Sequence, residues 1–252
     1  MANYMVIAGC SHAAGAEIDG TLSSTDNRQA SFGNVLAGMI DHEPINIARN
    51  GASNSAIHRS VLNWFTLNKE LTSNKSNNIF VLVNWAESCR IEAPVPHAVG
   101  YDQDTCADWA DPSYVDALQV NASTDIKSVA FHERESFRVS QEFMIQSEIF
   151  MEMLLAKDAL SLQYFFQSKN IRYLMTNSGL AFHTDHMKHL YSYLTKIDAI
   201  RYYKYRDNNF GFYEKYQQEK MTNPNAQYGH HGADAHLARA TDLYNYIKQK
   251  NI

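Results

Sequence analysis

The chain has 252 residues, 45% of them hydrophobic and 19% charged, enough to bury a substantial core with a composition ordinary for globular proteins. A formal net charge of −5, with no block of like charges, excludes the basic footprint expected of a nucleic-acid binder. No apolar stretch approaches a membrane-spanning length and no secretory leader is visible, so a membrane partner is not expected and the expected location is cytoplasmic.

The first element is the apolar run Tyr4-Met5-Val6-Ile7-Ala8, stopped by Gly9-Cys10-Ser11-His12 and a stretch of small residues ending at Glu17. It reads as a buried strand delivering a serine hydroxyl to its carboxyl end. Residues 18–28 are polar and predict a loop, with Glu17 supporting that loop or the first helix. The spacing of Phe32, Val35, Leu36, Met39 and Ile40 predicts a helix over 30–40. Residues 44–48 predict a second strand, followed by the glycine turn Arg49-Asn50-Gly51. Ser53 or Asn54 then caps a helix running to about Leu71.

The run from Asn78 to Trp85 is unbroken enough for a central parallel strand buried on both faces. Residues 87–124 hold three of the five prolines and read as an irregular insertion or lid. A long helix is predicted over 137–168, with Met144 and Met153 as core filler. A strand over 170–178, a helix over 186–197 and a short strand over 200–205 follow. Residues 208–227 carry no clear pattern, and 233–247 predict a last helix. Alternating strands and helices predict an α/β fold of one domain over 1–252, with a central parallel sheet covered on both sides. Cys10, Cys89 and Cys106, odd in number and widely spaced, predict free thiols in a reducing compartment. The 15 tyrosines crowd the second half and suggest a binding face or an oligomer contact.

Chemistry concentrates at the strand ends. Serine is a weak nucleophile until an imidazole accepts its proton, so Ser11 pairs naturally with a histidine from Gly229-His230-His231-Gly232. Backbone amides near Ser11 and Gly51 can hold a developing oxyanion. The structural alternatives are a helix cap for Ser11 and a packed loop histidine for His230 or His231; His236 reads as structural. His12 and Asn54 stand beside the site as substrate contacts or packing. Arg90 either reads a polar substrate or pairs with Glu92. Two histidine clusters invite a metal reading with zinc-like ligands: His230, His231, Asp234 and His236, and then His183, Asp185 and His186. Neither has the spacing of an established metal motif.

In order and character these pieces resemble the SGNH (GDSL-type) hydrolases, in a form similar to proteins encoded by bacteriophages. Gly9-Cys10-Ser11 stands where that family has Gly-Asp-Ser, and Asn46-Ile47-Ala48-Arg49-Asn50-Gly51 matches its second block. Gly229-His230 resembles the last block, a histidine before the C-terminal helix. The resemblance implies a flavodoxin-like three-layer α/β/α sandwich and a serine esterase without cofactor or metal, acting on a small-molecule or carbohydrate ester. It makes Ser11 the nucleophile, His230 the base, and Ser11 and Gly51 oxyanion donors, with either Asn84 or Ser88 in place of the third. Host cytoplasm or virion would be the setting, with homo-oligomer or virion association. Two departures stand out: Asn84-Trp85-Ala86-Glu87 replaces the family's Gly-x-Asn, and its acid position three residues before the histidine is Gln227 or Tyr228. The implied acid therefore comes from elsewhere, or the site is a Ser-His dyad, or activity is lost. That leaves two alternatives: a non-catalytic protein of a phage particle keeping the fold, and a metal-dependent hydrolase built on the 230–236 histidines.

Overall fold

Alternate residues of the first strand face different cores. In β1 (Asn3–Gly9), Met5 and Ile7 pack to one side while Val6 and Ala8 pack to the other. β3 (Asn78–Trp85) repeats the division with Phe80 and Leu82 against Val81, Val83 and Trp85. β6 (Arg172–Asn177) does so with Leu174 against Tyr173 and Met175. Because successive strand side chains point to opposite faces, an apolar run without polar alternation requires cover on both sides. The computed structural model describes residues 2–74, 77–88, 90–94, 117–121, 134–179, 182–206 and 211–252.

Helices α4 (Asn54–Leu67) and α7 (Glu148–Ser168) cover one face through Ile57, Val61, Trp64, Leu155, Leu162 and Phe166. Helices α3 (Phe32–Met39) and α10 (Ala233–Lys250) cover the other through Phe32, Leu36, Ala240, Leu243 and Ile247. The fold is an α/β/α sandwich. With β2 (Glu43–Asn46), the sheet order is β2-β1-β3-β6, all parallel. The chain thus leaves β1 on one side for β2 and crosses to the other side for β3. Loops diverge at the carboxyl end of β1, where open α/β sheets form their ligand crevice.

Several expected elements take other forms. The helix expected over 30–40 is α3, and a further helix, α2 (Thr25–Ala30), precedes it across Ser31 in the stretch expected to be a loop. Ser24 caps α2 by accepting from the Asn27 amide. Ser53 does cap α4, accepting from Ala56 N at 3.2 Å, but that helix stops at Asn68 and is followed by α5 (Lys69–Ser73). The helix over 137–168 is α6 (Arg134–Gln146) and α7, interrupted at Ser147. The helix expected over 186–197 is a 3₁₀ turn at Thr184–His186 and the short α8 (Tyr191–Leu194). Only Tyr202 of residues 200–205 bridges the sheet, beside Met175. Within 208–227 lies a helix that composition hid, α9 (Phe212–Gln218). The insertion over 87–124 contributes an antiparallel pair, β4 (Arg90–Pro94) and β5 (Ala117–Asn121). The rest of it, with Cys89 and Cys106, lies outside the described residues.

Candidate active site

Ser11 opens a single helical turn, α1 (Ser11–Ala14), immediately beyond β1. Gly9 is what lets the strand turn there: a Cβ on it would stand 2.7 Å from Ala13 Cβ and 2.8 Å from Asn84 O, closer than non-bonded atoms approach. Beneath the turn, Cys10 Sγ lies 2.9 Å from Ser178 Oγ, and Asn84 Nδ2 donates to the same hydroxyl. Asn46 ties the turn to β2, its Nδ2 donating to Ala13 O at 3.0 Å while its Oδ1 accepts from Ala48 N at 3.1 Å.

Past α1 the chain doubles back through two left-handed residues, Gly15 (φ 80°) and Glu17 (φ 59°). That conformation is uncommon for a glutamate and needs support from its surroundings. Support comes from the loop before α10: Asn223 Nδ2 donates to Glu17 O at 2.6 Å and to Ile18 O at 3.0 Å. The Glu17 carboxylate accepts from Gln227 N at 2.7 Å and from Tyr228 N at 3.1 Å. The same loop is closed on itself by Asn223 N donating to His230 O at 3.0 Å.

This clamp brings three side chains into line. His230 Nε2 is 2.8 Å from Ser11 Oγ, and His230 Nδ1 is 2.6 Å from Glu17 Oε2. With the Nδ1 proton given to the carboxylate, Nε2 carries the lone pair and accepts the serine hydroxyl proton. Burial raises the Glu17 carboxyl, but hydrogen bonds from His230 and from the Tyr228 and Gln227 amides outweigh it and hold the group below its usual range. A buried, ionised acid behind an imidazole orients the ring and stabilises the imidazolium form. A carboxylate behind the imidazole, absent from the positions just before His230, is supplied by Glu17, expected only to support the loop. It does both. The one signal for it was its place as the first acid of the chain, closing an otherwise uncharged turn of small residues.

The remaining candidates separate. His231 is buried, with neither ring nitrogen hydrogen-bonded to any described residue, and packs edge-on to Phe212 at 5.1 Å. Burial first, then the nearby His230, pushes its imidazole down to about 4. His236 accepts from Phe32 N through Nδ1 at 3.0 Å and stacks on the Phe32 ring. Burial, aided by His231 and His230, pushes it down to about 3. The 230–236 side chains do not converge as metal ligands among the described residues: His230 is given to Ser11 and Glu17 and His236 to the Phe32 amide, which corrects that alternative. His12 packs 5.0 Å from both the His230 and Phe212 rings. Burial, then His230, His231 and Arg90, holds it well below the usual imidazole range.

Gly51 stands on the exposed turn after β2 with φ 73°, and Arg49 N donating to Gly9 O at 3.0 Å fixes that turn against the end of β1. Asn84 is fully buried and its amide nitrogen is given to Ser178, so it is not turned outward as an oxyanion donor would be. Asn54, expected beside substrate, instead clamps the exit of β3. Its Oδ1 accepts from Ala86 N at 2.9 Å and its Nδ2 donates to Glu87 O at 3.2 Å. Arg90 pairs with Glu87 at 2.7 Å, and its charge reaches His12; the side chain of Glu92, its other expected partner, lies outside the described residues.

No helix among the described residues is long and apolar enough to cross a membrane. No family model matches the chain, and no curated protein matches it. Among solved structures it is similar to the psychrotrophic esterase EstA from Pseudoalteromonas sp., at 11% identity and a TM-score of 0.43, over 98% of this chain and 97% of that one. It is also similar to the acetyl xylan esterase Est2A from Butyrivibrio proteoclasticus, at 12% identity and a TM-score of 0.44, over 99% of this chain and 64% of that one. Likenesses this distant carry no functional argument, which rests on the side chains of this chain alone.

Proposed function

We propose that the protein is a serine esterase of SGNH type, in which Ser11, His230 and Glu17 act as nucleophile, base and acid. The observation that carries this is the unbroken relay from the Ser11 hydroxyl through both nitrogens of His230 to the Glu17 carboxylate. As Ser11 Oγ adds to an ester carbonyl, His230 Nε2 takes its proton and Glu17 stabilises the resulting imidazolium. Backbone amides of Ser11 and Gly51 hold the tetrahedral oxyanion. Collapse breaks the ester C–O bond, and the departing alcohol takes the proton from His230. Water then attacks the acyl-serine with His230 again as base, releasing the carboxylic acid and restoring Ser11.

An acyl group on a carbohydrate is the proposed substrate class. Two aromatic side chains flank the relay and support it. Tyr228, whose amide Glu17 holds, is exposed, and Tyr213 lies 6.2 Å from the His12 ring. Exposed tyrosines offer the flat apolar faces on which sugar rings stack. The reading of an inactive phage-particle protein drew on an empty acid position, a missing Gly-x-Asn and a tyrosine-rich second half; the Glu17 carboxylate beside His230 speaks against the first of these.

Covalent labelling by a fluorophosphonate tests the reading. The wild-type protein should be labelled at Ser11 and should hydrolyse p-nitrophenyl acetate, with both lost in Ser11→Ala. Failure of the folded wild type to take the label, or labelling that persists in Ser11→Ala, rejects it. Release of acetate from acetylated xylo-oligosaccharides, compared with simple aryl esters, tests the carbohydrate part separately.

A further inference from the structure

On the opposite flank of β6, a second constellation has no part in the relay. Glu152 of α7 is completely buried, and its Oε1 receives three donors: His183 Nδ1, His186 Nδ1 at 3.1 Å and the His183 amide at 3.1 Å. Its Oε2 is buried with no hydrogen-bond partner among the described residues. One turn earlier on the same helix, Glu148 faces the same two rings: Glu148, His183 and His186 each bring a ligand atom within 4.8 Å of the others.

We propose that Glu148, His183 and His186 bind a divalent transition-metal cation of the zinc class, with Glu152 as the positioning carboxylate behind the imidazoles. Three chemical facts point the same way. A neutral imidazole that donates from Nδ1 keeps its lone pair on Nε2, the form in which histidine ligates a metal. Metal-ligating histidines typically give their other N–H to a carboxylate, and here one carboxylate serves two rings. The Glu152 side chain is completely buried and its Oε2 has no hydrogen-bond partner among the described residues, so this carboxyl lacks compensation. A cation on the two rings supplies it. Ligand atoms around a tetrahedral zinc stand about 3.3 Å apart at its usual bond lengths, so the three side chains, with ligand atoms within 4.8 Å of one another, would draw in around the ion. His183 and Glu148 are partly open to solvent, which gives the ion an entry path. The ion would fasten the segment after β6 to α7, with a fourth position open to water.

The competing arrangement is a plain histidine–glutamate ion pair, with one ring protonated. Titration of the metal-stripped full chain with Zn²⁺ by calorimetry, and with Co²⁺ by visible absorption, separates the two. One equivalent should bind, and His183→Ala, His186→Ala and Glu148→Ala should each weaken it at least about 10-fold. Glu152→Gln should weaken it about 10- to 100-fold and alter the Co²⁺ spectrum without removing a ligand. His183 and Glu148 are exposed enough that their alanine variants test the proposal even where the Glu152 variant does not fold. Absence of binding at millimolar Zn²⁺, binding undiminished in His183→Ala, or binding lost only in His230→Ala would each overturn it. Ser11 labelling is expected to survive in His183→Ala, so the metal site and the esterase reading stand or fall separately.

Discussion

The Glu17 carboxylate and His230 Nδ1 meet at 2.6 Å although 213 positions of chain separate them. Glu17 belongs to the same N-terminal turn as Ser11, so nucleophile and acid arrive together and the histidine is inserted between them. Glu17→Gln keeps the shape of the side chain but no longer stabilises an imidazolium. In the folded variant kcat on p-nitrophenyl acetate should fall about 10³- to 10⁴-fold with little change in KM. Circular dichroism checks that the loop holding Glu17 has survived, and full retention of kcat would remove Glu17 from the mechanism.

Acid should weaken the fold. His12, His231 and His236 are held neutral by burial, His231 at about 4 and His236 at about 3 against an ordinary 6.5. Below pH 6.5 the unfolded chain binds protons that the folded chain refuses, so stability is lost as pH falls from there through the folded values. Glu17 acts with the same sign, since its depressed carboxyl stabilises the fold above the ordinary carboxylate range and less as it protonates. The melting temperature should be level near neutrality and decline steadily from pH 6.5 towards 4. A rise on acidification to pH 5 would contradict the neutral burial of these rings.

Gly9→Ala should disturb both fold and site. The added methyl meets backbone at Asn84 and the Ala13 side chain, neither of which is the far end of a flexible chain. Overpacking of this kind costs about 1–3 kcal/mol, measurable as a lower urea midpoint at unchanged slope. Because Ser11 sits two residues on, kcat of the folded fraction should fall as well.

His236→Leu separates structural from catalytic histidine. It leaves the Phe32 amide without its acceptor and should cost about 1–3 kcal/mol, while kcat of the folded protein is retained. His230→Ala should lose about 10⁴-fold or more in kcat, and it should also lower the melting temperature because it strands the buried Glu17 carboxylate.

The parallel sheet was legible because burial on both faces leaves a direct trace, as in Ile79-Phe80-Val81-Leu82-Val83. Ser11, Gly51 and His230 could be singled out because each follows or precedes an element by a short polar turn. Glu17 could not, because its role depends on a chain reversal through a left-handed glutamate and on amides from residues 227 and 228. No local pattern encodes either. Likewise Asn84 and Asn54 looked outward in sequence, and only packing shows their amides spent on Ser178 and on the exit of β3. The break at Ser147 and the short turns over 184–194 escaped a reading by periodicity, since apolar spacing persists through them.

The two ends of the relay lie so far apart in sequence that its completion has a time attached. At the pace of synthesis in cells, about 5–20 residues per second, Ser11 and Glu17 wait on the order of ten to forty seconds before His230 exists. Through that interval the growing chain carries Ser11 and Glu17 without the histidine that joins them. The relay is assembled only when the loop before α10 closes over Glu17 and brings His230 to Ser11.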